Sequence, residues 1–462
     1  MNYDVIVIGS GPGGYVAAIR AAQLGFSVAV VEKAELGGVC LNWGCIPTKS
    51  LLKSAQVLDY TKHANEYGIL VSEAKPDFQA VVARSRSVAS QMNKGVEYLF
   101  KKNKIDILQG FGKLLKNNFV EVTSSDNTKS EFSAKHIILA TGARSRELPN
   151  LKQDGKHIIG YREALTLPQL PESMLVVGSG AIGTELASFY NSMGTQVTLV
   201  EYLPNIVPLE DEEVSKQLGR SLKKAKINIL TGTSVDSVSV TNGKCIVTVS
   251  DKKGSKQIET DIVLSAVGIS TNIENIGLED IGVKTDKGKI IVDAFYRTNI
   301  DGVYAIGDIV PGQALAHVAS AEAICCVEAI AGLNPKPIDY QNIPSGIYTT
   351  PEVASVGMTE QEATEKTIAV KIGKFPYTAS GKATAAGNRD GFVKLIFDAE
   401  TDILLGAHFV GLNVTEMISE MVVGKSLSVT AKQLIHSIHP HPTMSEAIME
   451  AAAAAHNEAI HV

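Results

Sequence analysis

An α/β protein with two Rossmann-like domains and a C-terminal α+β domain is what this 462-residue sequence predicts. Three observations lead there. Two segments, VIVIGSGPGGYVAAIRAAQLGFSVAVVEK and LVVGSGAIGTELASFYNSMGTQVTLVEY, repeat one another. Each reads as an apolar strand, G-x-G-x-x-G, a helix and a second apolar strand ending in glutamate. From about residue 341, starting at NIPSGIYTTPEVASVG, the pattern alternates as strands do and then closes in helices.

The repeated glycines are Gly9, Gly11 and Gly14 in one copy and Gly178, Gly180 and Gly183 in the other. Glu32 follows Gly9 by 23 residues, and Glu201 follows Gly178 by 23. The first glycine permits a tight turn, the second lets backbone amides approach a pyrophosphate, and the third lets helix pack on strand. The helix N-terminus offers unpaired N–H groups and a positive dipole to the phosphates, and the distal glutamate accepts from a ribose diol. A chance glycine turn would lack this context, so two dinucleotide sites are expected. A carboxylate at 201 repels a 2′-phosphate, and EYLPNIVP holds no arginine to bind one. The second site is therefore expected to take NAD rather than NADP.

Composition narrows the classes. Apolar residues make up 45% and charged residues 20%, as in a globular protein with large cores. A net charge of −6 provides no basic surplus for nucleic acid. No run reaches the ~18 apolar residues of a membrane helix. The start, MNYDVIVIGSGPGG, reads as a strand rather than a signal peptide, so a cytoplasmic location is expected. The five cysteines (40, 45, 245, 325 and 326) are too few and too scattered for a disulfide framework. Zinc needs about four ligands and no second cysteine pair completes a site, so no metal is expected.

Cys40 and Cys45 stand five apart in GGVCLNWGCIPTK. In an ideal helix such positions lie roughly 8–9 Å apart at Cα, beyond the reach of a disulfide at about 7 Å. They can bridge only across a distorted turn or a loop feeding a helix. Gly44 and Pro47 supply irregularity, and LLKSAQVLDYTKHA downstream has a helical pattern. Near a helix N-terminus, with Lys49 close by, a thiol pKa falls. Spacing alone leaves open that both are buried small hydrophobes. Near the other end, HSIHPHPTMSEAIMEAAAAA gathers His436, His439 and His441 ahead of a helix, with Glu446 five residues after the last histidine. No Cys or Asp grouping accompanies that trio.

G-G-x-C-L-N-x-G-C-I-P-T-K closely resembles the active-site segment of the pyridine nucleotide–disulfide oxidoreductases. ILATGAR, GVYAIGDI, ALAHVASAE and IHPHPTMSEA follow in the family's order, so the resemblance spans essentially the whole chain. It implies an FAD domain (about 1–148), an inserted NAD domain (149–270), a central stretch completing the FAD site (271–340) and a dimer interface domain (341–462). It implies FAD contacts from Gly112, Thr141, Gly142, Asp308, Ala316 and His317, and NAD contacts from Val235 and Gly268. Cys40 and Cys45 are implied to form a redox disulfide, Cys40 the interchange thiol and Cys45 the one beside the flavin. His441 is implied to be the base, oriented by Glu446, with His439 supporting the pocket. Lys49 and Glu185 are implied to pair beside the flavin's reactive nitrogen, and the base to reach the cysteines of the other subunit of a homodimer.

Within the family, the absence of C-terminal cysteines in NEAIHV sets the chain apart from mercuric reductases and large thioredoxin reductases. The H-P-H-P-T-x-S-E ending and Glu201 resemble those members that use NAD to reoxidise the dihydrolipoyl arm of 2-oxo acid dehydrogenase complexes and of the glycine cleavage system. Lipoyl-bearing subunits of such assemblies are the implied partners. A glutathione-reductase-like disulfide reductase is the nearer rival, and a flavin- and NAD-binding redox sensor the rival from another class. One departure stands out: where many relatives carry V-G-R-x-P-N-T, this chain has VGISTN and lacks the arginine.

Overall fold

Strands of a parallel sheet covered on both faces must be apolar along their length, and VIVI, VAVV, MLVV and VTLV all are. The structure is a computed structural model that describes residues 2–462. It divides into two compact units. One runs up to Ser50 and takes in Ala80–Arg146 and Ile269–Ile338; the other comprises Leu51–Gln79, Glu147–Gly268 and Asp339–Val462.

In the first unit five parallel strands lie in the order Asp106–Gln109, Val28–Glu32, Asn2–Ile8, Lys129–Leu139 and Val303–Ala305. Two antiparallel strands, Phe119–Thr123 and Phe111–Leu115, extend from the early part of Lys129–Leu139. Alternation of side chains separates two cores. Val5, Val7, Val28 and Val30 face the helix Pro12–Gln23, while Ile6, Ile8, Ala29 and Val31 face the opposite side with Leu114 and Val122. The helix Ala316–Ile330 packs beside Pro12–Gln23 through small residues: a Cβ on Gly13 would stand 3.3 Å from that of Ala319. Cys325 and Cys326 are buried in that core.

The second unit holds a five-stranded parallel sheet in the order Asn228–Leu230, Gln196–Val200, Ser173–Val177, Ile262–Ser265 and Ile158–Ile159. Beside it runs an antiparallel meander, Ser234–Thr241, Lys244–Asp251 and Gly254–Thr260. The C-terminal part is a five-stranded antiparallel sheet in the order Pro344–Ile347, Glu352–Gly357, Leu404–Gly411, Phe392–Asp398 and Val370–Pro376. The helices Val414–Ser426 and Glu446–Ala454 cover it around Phe397, Phe409, Met421 and Ile448. Glu446–Ala454 comes so near that a Cβ on Gly373 would fall 1.8 Å from the Ala451 carbonyl oxygen. Among the described residues no helix is long and apolar enough to cross a membrane.

One polar cluster in this second unit is centred on a buried ion pair. Lys394, on Phe392–Asp398, is fully buried, and so is Asp211. The Lys394 ammonium lies 3.0 Å from both Asp211 carboxylate oxygens, 2.6 Å from Glu360 and 3.1 Å from Glu213. Asp211 also caps the helix Glu212–Lys224, accepting from the Glu213 N–H at 3.0 Å. Asp390 adds two contacts to the same helix, accepting from Gln217 and Ser221.

Burial works to raise the Asp211 carboxyl, but opposing charge and the hydrogen bonds from Lys394 and the Glu360 N–H outweigh it and hold it below the ordinary carboxylate value. The stability it contributes is therefore complete above about pH 4 and is lost as pH falls through the depressed folded value. Lys394→Ala strands that carboxylate without its counter-charge, and should lower unfolding free energy by about 3–5 kcal/mol in a denaturant titration at neutral pH. Lys394→Met with Asp211→Asn should lose less and flatten the acid limb.

Candidate functional site

The two glycine turns superimpose in chemistry as well as in sequence. Gly9 has φ +102° and Gly178 φ +96°. A Cβ there would stand 2.3 Å from the Ala140 carbonyl oxygen in one case and 2.4 Å from that of Ala266 in the other. A Cβ on Gly14 would meet the Gly9 oxygen at 1.9 Å, and on Gly183 the Gly178 oxygen at 2.0 Å. These four glycines are required by the chain itself. Gly11 and Gly180 are different: each has an ordinary φ (−61° and −64°), and a Cβ would meet nothing within 4 Å. Each sits at the N-cap of its helix, where backbone N–H groups face outward. Nothing in the protein excludes a side chain there, so the room kept by glycine fits a ligand's approach, as a dinucleotide pyrophosphate needs.

The distal glutamates are built into the same turn. Glu32 Oε2 accepts from the Ser10 N–H (2.9 Å) and Ser10 Oγ (2.6 Å), and Oε1 accepts from the Ala34 N–H (2.9 Å). Glu201 accepts from Ser179 N–H (2.9 Å), Ser179 Oγ (2.7 Å) and the Leu203 N–H (2.9 Å). A carboxylate has about four acceptor sites, so three bonds leave room for one more, such as a ribose hydroxyl. Ser10 and Ser179, both fully buried, escape a reading based on glycines alone. The signal was present, since both copies read G-S-G. The repeat also reaches its third strand: Leu139 leads into Ala-Thr-Gly and Ser265 into Ala-Val-Gly. Gly142 and Gly268 are thus equivalent positions, both with positive φ and both open to space. Thr141 Oγ1 donates to the Asn272 carbonyl at 2.6 Å, and the Asn272 amide donates back to the Thr141 carbonyl.

Cys40 and Cys45 fall on two separate helices, Gly38–Trp43 and Cys45–Lys62, parted at Gly44. That break is the departure from ideal helix that the spacing requires. Both cysteines are free thiols here, within hydrogen-bonding reach of one another. The Cys45 sulfur as acceptor, then burial, then the charge of Cys45 push the Cys40 thiol far above its ordinary value, against the pull of the Cys45 N–H and of Lys49. In the reduced pair Cys40 therefore holds its proton firmly.

The preceding glycine pair has its own reason. Gly37 (φ +88°) donates its N–H to Ser10 Oγ at 3.2 Å, and a Cβ on Gly38 (φ +59°) would lie 2.7 Å from Gly11 Cα. The cysteine segment therefore starts directly on the first glycine turn. Three successive residues of the helix Phe78–Lys102, unremarked in sequence, hold it from the other side. Arg84 donates to the Ser50 carbonyl (3.2 Å) and hydroxyl (2.8 Å), Ser85 to the Pro47 carbonyl (3.0 Å), and Arg86 to the Asn42 carbonyl. The Arg86 guanidinium also stacks 4.1 Å from the Trp43 ring.

The remaining positions fall as follows. Asp308 lies in a short turn after Val303–Ala305, where burial pushes its carboxyl up against the opposing charge of Lys289. Its neighbour Gly307 donates an N–H to buried Glu322 at 2.6 Å. Ala316 and His317 open the helix Ala316–Ile330. Gly112 has a packing explanation, since a Cβ would press on Ile8 and Val31 side chains at 3.0 Å. Val235 lies on the meander, its carbonyl accepting from Asn150 at 2.6 Å. Glu185 is buried on the helix Ala181–Met193 and accepts from the Tyr348 N–H at 3.0 Å. His441 Nδ1 lies 2.8 Å from Glu446 Oε1, and the Thr443 N–H donates to Glu446 Oε2 at 2.7 Å. Burial tends to raise the Glu446 carboxyl, but the Thr443 N–H and His441, with the charge of His439, hold it low and ionised. Among the described residues no His, Cys, Asp and Glu group is arranged to hold a metal ion.

Comparison with known proteins gives matches over nearly the whole chain. Residues 3–323 match the family described as pyridine nucleotide-disulphide oxidoreductase, and residues 343–452 match its dimerisation domain. A dihydrolipoyl dehydrogenase of Rhizobium etli is 50% identical over 97% of both chains. One of Bacillus subtilis is 44% identical over 100% of this chain and 99% of its own. The crystal structure of LpdA from Mycobacterium tuberculosis superimposes with a TM-score of 0.91 at 27% identity, covering 97% of this chain and 98% of that one.

The contrast between chain-required and ligand-required glycines is testable. Gly180→Ala should leave the circular dichroism spectrum and melting temperature unchanged while weakening NADH binding on the order of tenfold. Gly183→Ala should destabilise the fold by about 1–3 kcal/mol or more, since its methyl group has only backbone to move.

Proposed function

Because the chain belongs to the pyridine nucleotide-disulphide oxidoreductase family, we propose that it is an NAD-dependent dihydrolipoyl dehydrogenase, oxidising protein-bound dihydrolipoamide to lipoamide. The observation that carries this reading is the cysteine pair, seated on the first dinucleotide turn and split between two helices by Gly44. The names and 44–50% identities of the bacterial relatives support the substrate class.

The chain's residues divide the work in a definite way. Gly11 and Gly180 admit the two pyrophosphates, and Glu32 and Glu201 present acceptors to the ribose of FAD and of NAD respectively. Thr141, Gly142, Asp308, Ala316 and His317 are assigned to the FAD side, with Gly112 beside its adenine; Gly268 and Val235 are assigned to the NAD side. In the working cycle Cys40 and Cys45 begin as a disulfide. His441, with Nδ1–H directed at Glu446, takes a proton from one substrate thiol at Nε2. The resulting thiolate attacks Cys40 Sγ, forming a mixed disulfide as the Cys40–Cys45 bond breaks and Cys45 departs as a thiolate. The second substrate sulfur then attacks the first, closing the lipoyl ring and releasing Cys40 to take up a proton. Two electrons now rest on the pair. A bound FAD would supply the electron-accepting and hydride-transfer chemistry that links this dithiol to NAD.

Lys49 and Glu185 are assigned to the flavin's reactive nitrogen, Lys49 lying one turn beyond Cys45. The working form is a homodimer in which the base of one subunit serves the cysteines of the other. Lipoyl-bearing subunits of 2-oxo acid dehydrogenase complexes or the glycine cleavage system are its partners, in the cytoplasm.

Cys45→Ser should abolish NAD reduction by dihydrolipoamide while NADH still reduces the bound flavin, and should remove the long-wavelength thiolate–flavin band seen on partial reduction of the native enzyme. Retained dihydrolipoamide turnover in that variant would sink the assignment. Glu201 sets the coenzyme: native protein should turn over NADH at least about tenfold faster than NADPH, and a higher rate with NADPH contradicts the proposal.

A further inference from the structure

Two histidines stand one proline apart, yet their rings meet different sets of hydrogen-bond partners. His441 has one acceptor facing its ring, Glu446 on Nδ1. His439 has two. Its Nδ1 lies 3.0 Å from the Ser437 carbonyl oxygen and its Nε2 2.9 Å from Glu420 Oε1. A carbonyl oxygen can only accept, and so can an ionised carboxylate. A neutral imidazole has a single N–H and cannot satisfy both. The His439 side chain is only 7% exposed, so water cannot readily substitute for either partner. Both nitrogens must therefore carry protons.

We propose that Glu420 and the Ser437 carbonyl hold His439 as a permanent imidazolium, which positions the neighbouring His441–Glu446 pair and takes no proton itself. The inference rests on the reading of His441 as base given above. Glu420 projects from the helix Val414–Ser426, and Glu446 opens the helix Glu446–Ala454. His439 thus ties the loop carrying His441 to one helix while its charge acts on the carboxylate of the other. The charged groups acting on it are Glu420 from the first helix and Glu446 from the second; both favour the cation, the Glu420 hydrogen bond most strongly, and outweigh the opposing cost of burial. In return, the charge of His439 helps keep Glu446 ionised. An ionised Glu446 accepts from His441 Nδ1–H and so leaves Nε2 as the basic nitrogen. His439 is a positioning residue, and its two bonds are what bar it from acting as a second base.

The test uses the full-length, FAD-loaded protein labelled with 15N-histidine. In the native protein both His439 ring nitrogens should stay protonated at pH values where the ring in Glu420→Gln has already lost a proton. The same variant should lose kcat/KM for dihydrolipoamide on the order of tenfold, short of the 10²–10⁴-fold that general-base catalysis supplies, and gain an additional ionisation in its pH profile. NADH-driven reduction of the bound flavin, which needs no base, serves as the folding control. A native His439 that titrates near 6.5 overturns the proposal without any variant, and so does an unchanged pH profile in Glu420→Gln. Failure of the native protein to oxidise dihydrolipoamide would instead defeat the functional reading, while the charge state of His439 is still decided by the nitrogen spectra.

Discussion

The approach of one backbone to another at Gly14 and Gly183 is the constraint on which the rest of the molecule depends. Each places its Cα so near a carbonyl of the preceding turn that a single methyl group would fall within 2.0 Å of oxygen. Only with that contact made can the helix start directly behind the strand and aim its free N–H groups past the strand's end. Ser10 and Ser179 then brace the opening, each hydroxyl giving its proton to a glutamate and accepting one from the chain beyond, from Gly37 in the first copy and Val207 in the second. The two sites are therefore one steric solution used twice.

The cysteine segment inherits its position from that turn. Gly38 rests on Gly11, the helix Gly38–Trp43 follows, and Gly44 releases the chain in time for Cys45 to begin a new helix. Arg84, Ser85 and Arg86 take hold of carbonyls on both sides of the break. Charge follows from this geometry: the neighbouring Cys45 sulfur and burial make the Cys40 thiol hold its proton firmly, and Lys49 stands one turn beyond Cys45. Elsewhere in the chain, short loops and helix starts set the hydrogen-bond partners of His441 and His439.

Much of this was legible in the sequence because steric exclusion leaves glycine no substitute. The double repeat reports such exclusions at Gly9, Gly14, Gly178 and Gly183, whereas the acidic residues 23 positions on are read from the hydrogen bonds they can accept. Ser10 and Ser179 stand in the G-S-G of both copies, but serine in a turn usually carries little information about its partner. Equivalence of Gly142 and Gly268 was hidden because different flanking residues, Thr141 and Val267, interrupt the likeness. The Arg84–Arg86 grip has no signature at all: arginine and serine on a long amphipathic helix look like a solvated face. Gly112 shows the reverse, a glycine assigned to a ligand that also has a purely internal reason to be small. The Lys394 cluster draws on residues up to 183 positions apart, and no spacing rule links them.

That cluster bears on how freely the pieces of this chain can be exchanged. The helix that begins at Asp211 belongs by sequence to the second nucleotide-binding segment, yet its cap is completed by an ammonium group from the C-terminal sheet. A graft that carried residues 147–268 into another scaffold would expose an acid built to meet a cation that the new host does not have. Coenzyme engineering on this backbone is better done by local substitution around Glu201 than by transplanting the segment whole.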